Sequence, residues 1–357
     1  MTRLFIILFL FAGFQASAQH LFIGSYNSDS TKEGIYVYRF DPETGDLKRE
    51  TSYKGILNPT FLIVDGKRIY ACTEAKTKGM GSVSSFVVDG EIKLTGKQDS
   101  GGENPVYVTR YQNWIVAANY NGGSVSALPI DAQGIIRPAA QVITFKDSSI
   151  TDRQTSSHIH SANFSPDHNY VFLPDLGADK IRCYRFDARA KQPLTVHGIT
   201  RTVPGSGPRH MAFHPNGKYV YCVEEMAGYI SAYKYHDGQL DSLQRIAAHS
   251  KSYEVYGGAD IHFSPDGLFL YASNRGKENN IVIYSVGSNG KLELVGYQDT
   301  GGNHPRNFTI DPAGNFLLVA NQVSGDVIVF KRNKKTGKLS RTTTKILVRE
   351  PSCLVIQ

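Results

Sequence analysis

One strand-turn-strand phrase returns four times in this chain. It reads His158-Ile159-His160-Ser161-Ala162-Asn163-Phe164-Ser165-Pro166-Asp167, then Gly207-Pro208-Arg209-His210 with Phe213-His214-Pro215-Asn216-Gly217. It returns as Asp260-Ile261-His262-Phe263-Ser264-Pro265-Asp266-Gly267, and as Pro305-Arg306-Asn307-Phe308 with Asp311-Pro312-Ala313-Gly314. A β-rich run follows each turn, as Tyr170 to Asp175 does after the first. Repetition constrains the fold more than local propensity does, because one such unit cannot bury its apolar face alone and must stack on its neighbours. Weaker copies begin at Pro59 and Pro105, and Pro351 to Ile356 matches the first strand of a unit. The unit starts Pro59, Pro105, Ile159, Pro208, Gly258, Pro305 and Pro351 are spaced by 46, 54, 49, 50, 47 and 46 residues. A period of this size with about four short strands per unit predicts a β-propeller, and seven starts predict seven blades. No stretch carries helical periodicity of useful length.

The two ends of the chain complement each other. The last unit supplies only an inner strand, whereas the segment from His20 opens on a second strand and lacks an inner one. Joined, they make one blade, which removes the open sheet edges that invite aggregation. The expectation is an all-β, seven-bladed propeller over residues 19–357, closed by pairing the C-terminal strand with the N-terminal blade. Residues 1–18 read differently: Arg3, an apolar run from Leu4 to Phe14, then Ala16-Ser17-Ala18. This is the pattern of a secretory signal peptide cut after about Ala18, with an exported mature protein. No Cys follows that site, so no lipid anchor and no stable membrane attachment are expected. Cys72, Cys183, Cys222 and Cys353 lie in hydrophobic strand patterns without C-x-x-C spacing, and read as buried thiols rather than a zinc site. The net charge of +7 suits an anionic ligand. The one basic run, Lys331-Arg332-Asn333-Lys334-Lys335, reads as a solvated turn, so no nucleic-acid partner is expected. No sequence signal fixes an oligomeric state.

In a propeller the inner strands surround the axis. Aligning the units makes His160, Arg209 and Arg306 equivalent, with Thr60, Val106, Ala259 and Ser352 in the other blades. A second column, at the end of the next strand, holds Tyr120, Leu176, Glu225, Arg275 and Gln322. One step earlier stand Asn119, Asp175, Glu224, Asn274 and Asn321, a polar run expected mainly to tie strand ends together. Asn119, Tyr120 and Gln322 are carried as candidate substrate contacts. The first two columns mix charges with small and apolar residues, which suits an asymmetric ligand site. Three guanidiniums can clamp a carboxylate or phosphate. His160 is placed for general acid-base work near neutral pH, with His158 the second candidate on the same strand face. Glu225 either orients an arginine or shares the proton work. His210, His214 and His262 recur at inner strands or turns and are read as structural. No carboxylate companion supports a metal pair at His158 and His160, and neither a metal nor a cofactor is expected.

These segments, together with Val319-Ala320-Asn321-Gln322, resemble the seven-bladed propeller lactonases, the family of bacterial 6-phosphogluconolactonases and fungal carboxymuconate-lactonising enzymes. The resemblance spans nearly the whole chain after residue 18. It implies a metal-independent channel site at His160, Arg209, Glu225 and Arg275, with Arg306 nearby. It also implies hydrolysis of a small anionic sugar lactone resembling 6-phosphogluconolactone, a carboxylic-ester hydrolase activity of carbohydrate metabolism. The export signal sits poorly with a phosphorylated cytoplasmic metabolite and favours an unphosphorylated lactone. Two further readings fit the same residues: a non-catalytic ligand-binding propeller, and a cycloisomerase that forms a lactone from a dicarboxylate.

Overall fold

The computed structural model describes residues 19–74 and 81–357; the expected signal peptide lies outside the described residues. Among the described residues, twenty-eight strands form seven four-stranded antiparallel sheets; six run inner to outer in chain order, and the seventh takes the last strand of the chain as its inner one. The first strands of neighbouring blades touch one another around a central axis. The closing blade is built as expected: Pro351–Ile356 pairs antiparallel with Gln19–Ser25, setting Phe22 opposite Val355 and Gly24 opposite Cys353. The helical content of the described residues is one turn of 3₁₀ helix, Asp152–Gln154, inside the longest spacing between unit starts.

Burial follows position in the blade. Second strands such as Trp114–Asn119 and Phe316–Asn321 are buried throughout, because a blade packs on both faces. Outer strands such as Leu339–Leu347 alternate with solvent. The core is accordingly divided into layers between blades. In the layer that closes the ring, Leu21, Ile23 and Phe40 pack on Phe316, Leu318 and Val327, with Phe40 edge-on to Phe316 at 5.9 Å between ring centroids.

The repeated turns explain the repeated sequence. In the Ser-Pro-Asp-Gly turn, the Ser264 hydroxyl donates to Asp266 and accepts from the Phe269 amide, while Gly267 adopts φ +72°. The earlier Ser-Pro-Asp turn uses the same Ser165 to Asp167 bond. Two expectations need correction. The inner strand of the His160 blade is only Asn163–Phe164, with an isolated bridge from Ile159 to Asp175. Pro174 stands opposite and offers no N–H, so the His160 amide bonds to the Pro174 carbonyl without a return bond; beside it the Leu176 amide donates to the His158 carbonyl. The basic run at 331–335 is not all turn: Arg332 ends the strand Asp326–Arg332, buried over the Phe269 ring and paired with Asp266.

Candidate active site

The second-strand ends explain why one column faces the channel and its neighbour does not. Asn119, Asp175, Glu224, Asn274 and Asn321 are all buried. Asn119 Nδ2 lies within bonding distance of the Ser100 carbonyl at 3.3 Å, Ser124 Oγ at 3.0 Å and Ser126 Oγ at 3.1 Å. Asn274 Nδ2 donates to the Ala248 carbonyl at 2.7 Å, and Asn321 Nδ2 to the Asp326 carboxylate at 2.9 Å. Glu224 accepts from Arg245 at 2.6 Å, and Asp175 from the His158 amide at 2.8 Å. This column ties the second strand to the third and to the loop entering the next blade, and Asn119 is not among the residues lining the channel cavity. Strand alternation then turns the following residue the other way.

Those following residues meet on one mouth of the channel. Tyr120, Glu225 and Arg275 line a cavity of about 190 Å³ with His160, from the segment leading into the short inner strand of its blade, and Arg306, from the inner strand Pro305–Ile310. Five further residues complete the wall: Tyr26, Glu74, Asn104, Val106 and Arg153. Tyr26 and Glu74 are the strand-end positions of the first two blades, so continuing the Tyr120 column toward the N-terminus would have found them. Arg153 comes from the single 3₁₀ turn, in an insertion outside the repeat register; only the long spacing of 54 residues signalled that loop.

Glu225 is the electrostatic centre. Its carboxylate takes Arg153 Nη2 at 2.7 Å, Arg209 Nε at 2.9 Å and Arg275 Nη2 at 3.0 Å. Burial by itself would raise its pKa, but Arg275, Arg209 and Arg153 outweigh burial and hold it far below the carboxylate range. Arg209 is the largest fully buried side chain, lies beneath the cavity and also donates to the Ala259 carbonyl at 2.5 Å. Burial and the charges of Arg275 and Arg306 pull its pKa down to about 9. Arg306 stands 5.2 Å over the Tyr26 ring and has no carboxylate partner among the described residues. Tyr26 donates to Glu74 at 2.7 Å, and Glu74 also accepts from Asn104. Four guanidiniums against two carboxylates leave the site cationic.

His160 is buried at 5% exposure, and its pKa is lowered well below the usual histidine value by burial, then by Arg209, His210 and Arg306. It is therefore neutral, with Nδ1 buried and unpartnered among the described residues. His158 does not reach the cavity. It stacks flat on Tyr120 at 4.4 Å, with Nδ1 2.9 Å from the Tyr120 carbonyl, and so props a wall residue. Gln322 is likewise absent from the cavity wall; its backbone N–H donates to the His304 carbonyl. All four cysteines are buried free thiols, and no cluster of three or more His, Cys, Asp or Glu among the described residues is placed to hold a metal ion.

Comparison with known proteins agrees with this architecture. The family described as lactonase, 7-bladed beta-propeller, matches residues 20–356. A 6-phosphogluconolactonase of Formosa agariphila is 40% identical, over 94% of this chain and 98% of its own length. The crystal structure of a Bacteroides fragilis protein provisionally named 6-phosphogluconolactonase superposes with a TM-score of 0.91 at 38% identity, over 96% of this chain and 98% of that one. The periplasmic gluconolactonase of Pseudomonas aeruginosa superposes with a TM-score of 0.90 at 33% identity, over 95% and 99%. The chain belongs to the seven-bladed β-propeller lactonase family.

Proposed function

We propose that this protein hydrolyses the lactone of an aldonic acid, with His160 as the base that activates water. The observation that carries this reading is a neutral, buried imidazole on the same cavity as an excess of guanidinium charge. The cavity volume of about 190 Å³ is below that of drug-sized pockets and suits a single sugar ring.

In this mechanism His160 takes a proton from water as the oxygen adds to the lactone carbonyl carbon. The carbonyl oxygen becomes an oxyanion facing Arg306, the guanidinium not already bound to Glu225, where fixed positive charge contributes most. Collapse breaks the ring C–O bond, and the departing alkoxide recovers the proton from the His160 imidazolium. Glu225, held ionised by three arginines, acts as a positioning residue; of its two expected roles, the electrostatics favour orienting arginines over passing a proton.

The relatives named above act on phosphorylated and unphosphorylated gluconolactone, and the N-terminal sequence favours the second for this chain. Gln19 opens the first described strand, so cleavage after Ala18 removes no residue of the propeller. We place the protein outside the cytoplasm on that basis. The test is lactone opening by purified protein on gluconolactone and its 6-phosphate, with chelator present and buffer hydrolysis subtracted. Opening of gluconolactone above the buffer rate is expected. Faster opening of the phosphate would overturn the substrate assignment, and opening of neither would overturn the lactonase reading.

A further inference from the structure

Below the proposed active site lies a second set of titratable groups that hydrolysis has so far left unused. His210 follows Arg209 in the strand Pro208–Phe213, and its Nδ1 is 2.8 Å from Asp260 Oδ1. The other Asp260 oxygen takes His262 Nε2 at 2.8 Å and Asn307 Nδ2 at 2.5 Å. Burial alone would raise the Asp260 pKa, but the two histidines outweigh it and hold the group ionised. A carboxylate only accepts, so both ring nitrogens facing it carry hydrogen. Burial and Arg209 lower the His210 pKa to about 4, so the ring is neutral and its Nε2 is a bare acceptor.

That Nε2 is buried and unpartnered among the described residues, as is Nδ1 of His160. The two rings meet edge to face, with centroids 5.2 Å apart. Both residues line a narrow void of about 10 Å³ between the upper cavity and a wider one at the opposite mouth. That volume is at the lower bound for one water, which also needs two to four polar partners. Arg209 and Arg306 face the same void, with the hydroxyl residues Thr60 and Ser352. Tyr107 packs on His210 from below, and the side chain of His262, 44% exposed, reaches the lower mouth.

We propose that one water in this neck joins His160 Nδ1 to His210 Nε2, making His210 and Asp260 positioning residues that stabilise the protonated base. The proposal rests on the reading of His160 as base. When His160 takes the proton of the attacking water, its Nδ1–H donates to the neck water. That water donates to His210 Nε2, and His210 Nδ1–H donates to Asp260. No net proton moves along the chain; the new positive charge gains an aligned row of donors ending on a carboxylate. It is the logic of a catalytic triad with one water interposed. Without it, the buried imidazolium would face only the cations Arg209 and Arg306.

The test is His210→Asn, whose amide can still donate to Asp260 but leaves no acceptor where Nε2 stood. For gluconolactone opening, kcat should fall about 10-fold or more with KM within about twofold. The acid limb of the rate profile should move to lower pH, because protonated His160 has lost its partner. A curved proton inventory in the native protein should become linear in the variant. A folded His210→Asn with native kcat, acid limb and proton inventory would overturn the proposal. If that variant does not fold, ¹⁵N NMR of the native protein decides: His210 protonated at Nδ1 and bare at Nε2 supports the chain, and the opposite tautomer overturns it. Native turnover in His160→Ala would remove the base itself, whereas a silent His210→Asn removes only this inference.

Discussion

His160 and Glu225 border one cavity in opposite electrostatic settings. Burial and nearby cations keep the imidazole neutral, while the same cations keep the carboxylate ionised. This separation gives their replacements different signatures. His160→Ala should lower kcat by about 10²–10⁴-fold with little change in KM, measured from initial rates. Arg306→Met should lower kcat with little change in KM for uncharged gluconolactone, because the guanidinium meets the oxyanion that forms only during reaction. Glu225→Gln should be a stability variant first: it leaves Arg153, Arg209 and Arg275 without their shared carboxylate, a loss of about 3–5 kcal/mol on denaturant unfolding. A Glu225→Gln protein of native stability with reduced kcat would instead return Glu225 to the chemistry. The sequence exposed His160, Glu225, Arg275 and Arg306 because blade-specific charges stand out in a repeat. It left Tyr26 and Glu74 unmarked, since they belong to weaker copies, and Arg153, which belongs to no copy.

Each blade is an element whose register the sequence displays through its turns and its Pro or Gly starts. The unit starts fall at or beside the inner strands, and the split blade closes as the two chain ends required. Closure brings specific bonds: Ser352 Oγ donates to the Thr60 carbonyl at 2.9 Å, bracing the first complete blade against the last strand. Deleting residues 351–357 should therefore leave Gln19–Ser25 as an open edge and break the ring. The expected outcome is loss of monodisperse protein on size-exclusion chromatography and of the cooperative melt; a folded, soluble truncation would show that the seventh blade holds without its inner strand. The misplaced residues have local causes. Asn119 and Tyr120 are adjacent, and only the direction of the strand end separates a structural amide from a channel phenol. His158 and His160 share a strand face in sequence, yet Pro174 breaks the ladder there and His158 folds onto Tyr120.

For the whole molecule, the axis concentrates buried ionisable groups, and this couples stability to pH. His160, His210 and His304 all have pKa values lowered in the fold, the last two to about 4, with burial the leading cause. The unfolded chain binds protons at these rings below about pH 6.5, so stability falls as pH drops from there toward 4. Asp260 and Glu225 have depressed pKa values, and the stability they contribute is present above about pH 4 and lost further into acid. His262, raised by Asp260 against its own burial, opposes the trend by adding stability below its unfolded value. The melting temperature should decline steadily between pH 7 and pH 4. A flat profile from pH 7 to pH 5 would show that the channel histidines titrate normally.

The sequence alone determined the period, the blade count, the closure and the charged positions that converge on the axis, because a repeat reports its own register. Tertiary structure decided what those charges do. Residues hundreds of positions apart become neighbours only when the ring closes, and only then do three arginines share one carboxylate while Arg306 has none within ion-pair distance among the described residues. The His210–Asp260–His262 cluster shows the same limit: each residue reads as an ordinary inner-strand position, and its chemistry arises from the narrow space that the inner strands enclose together.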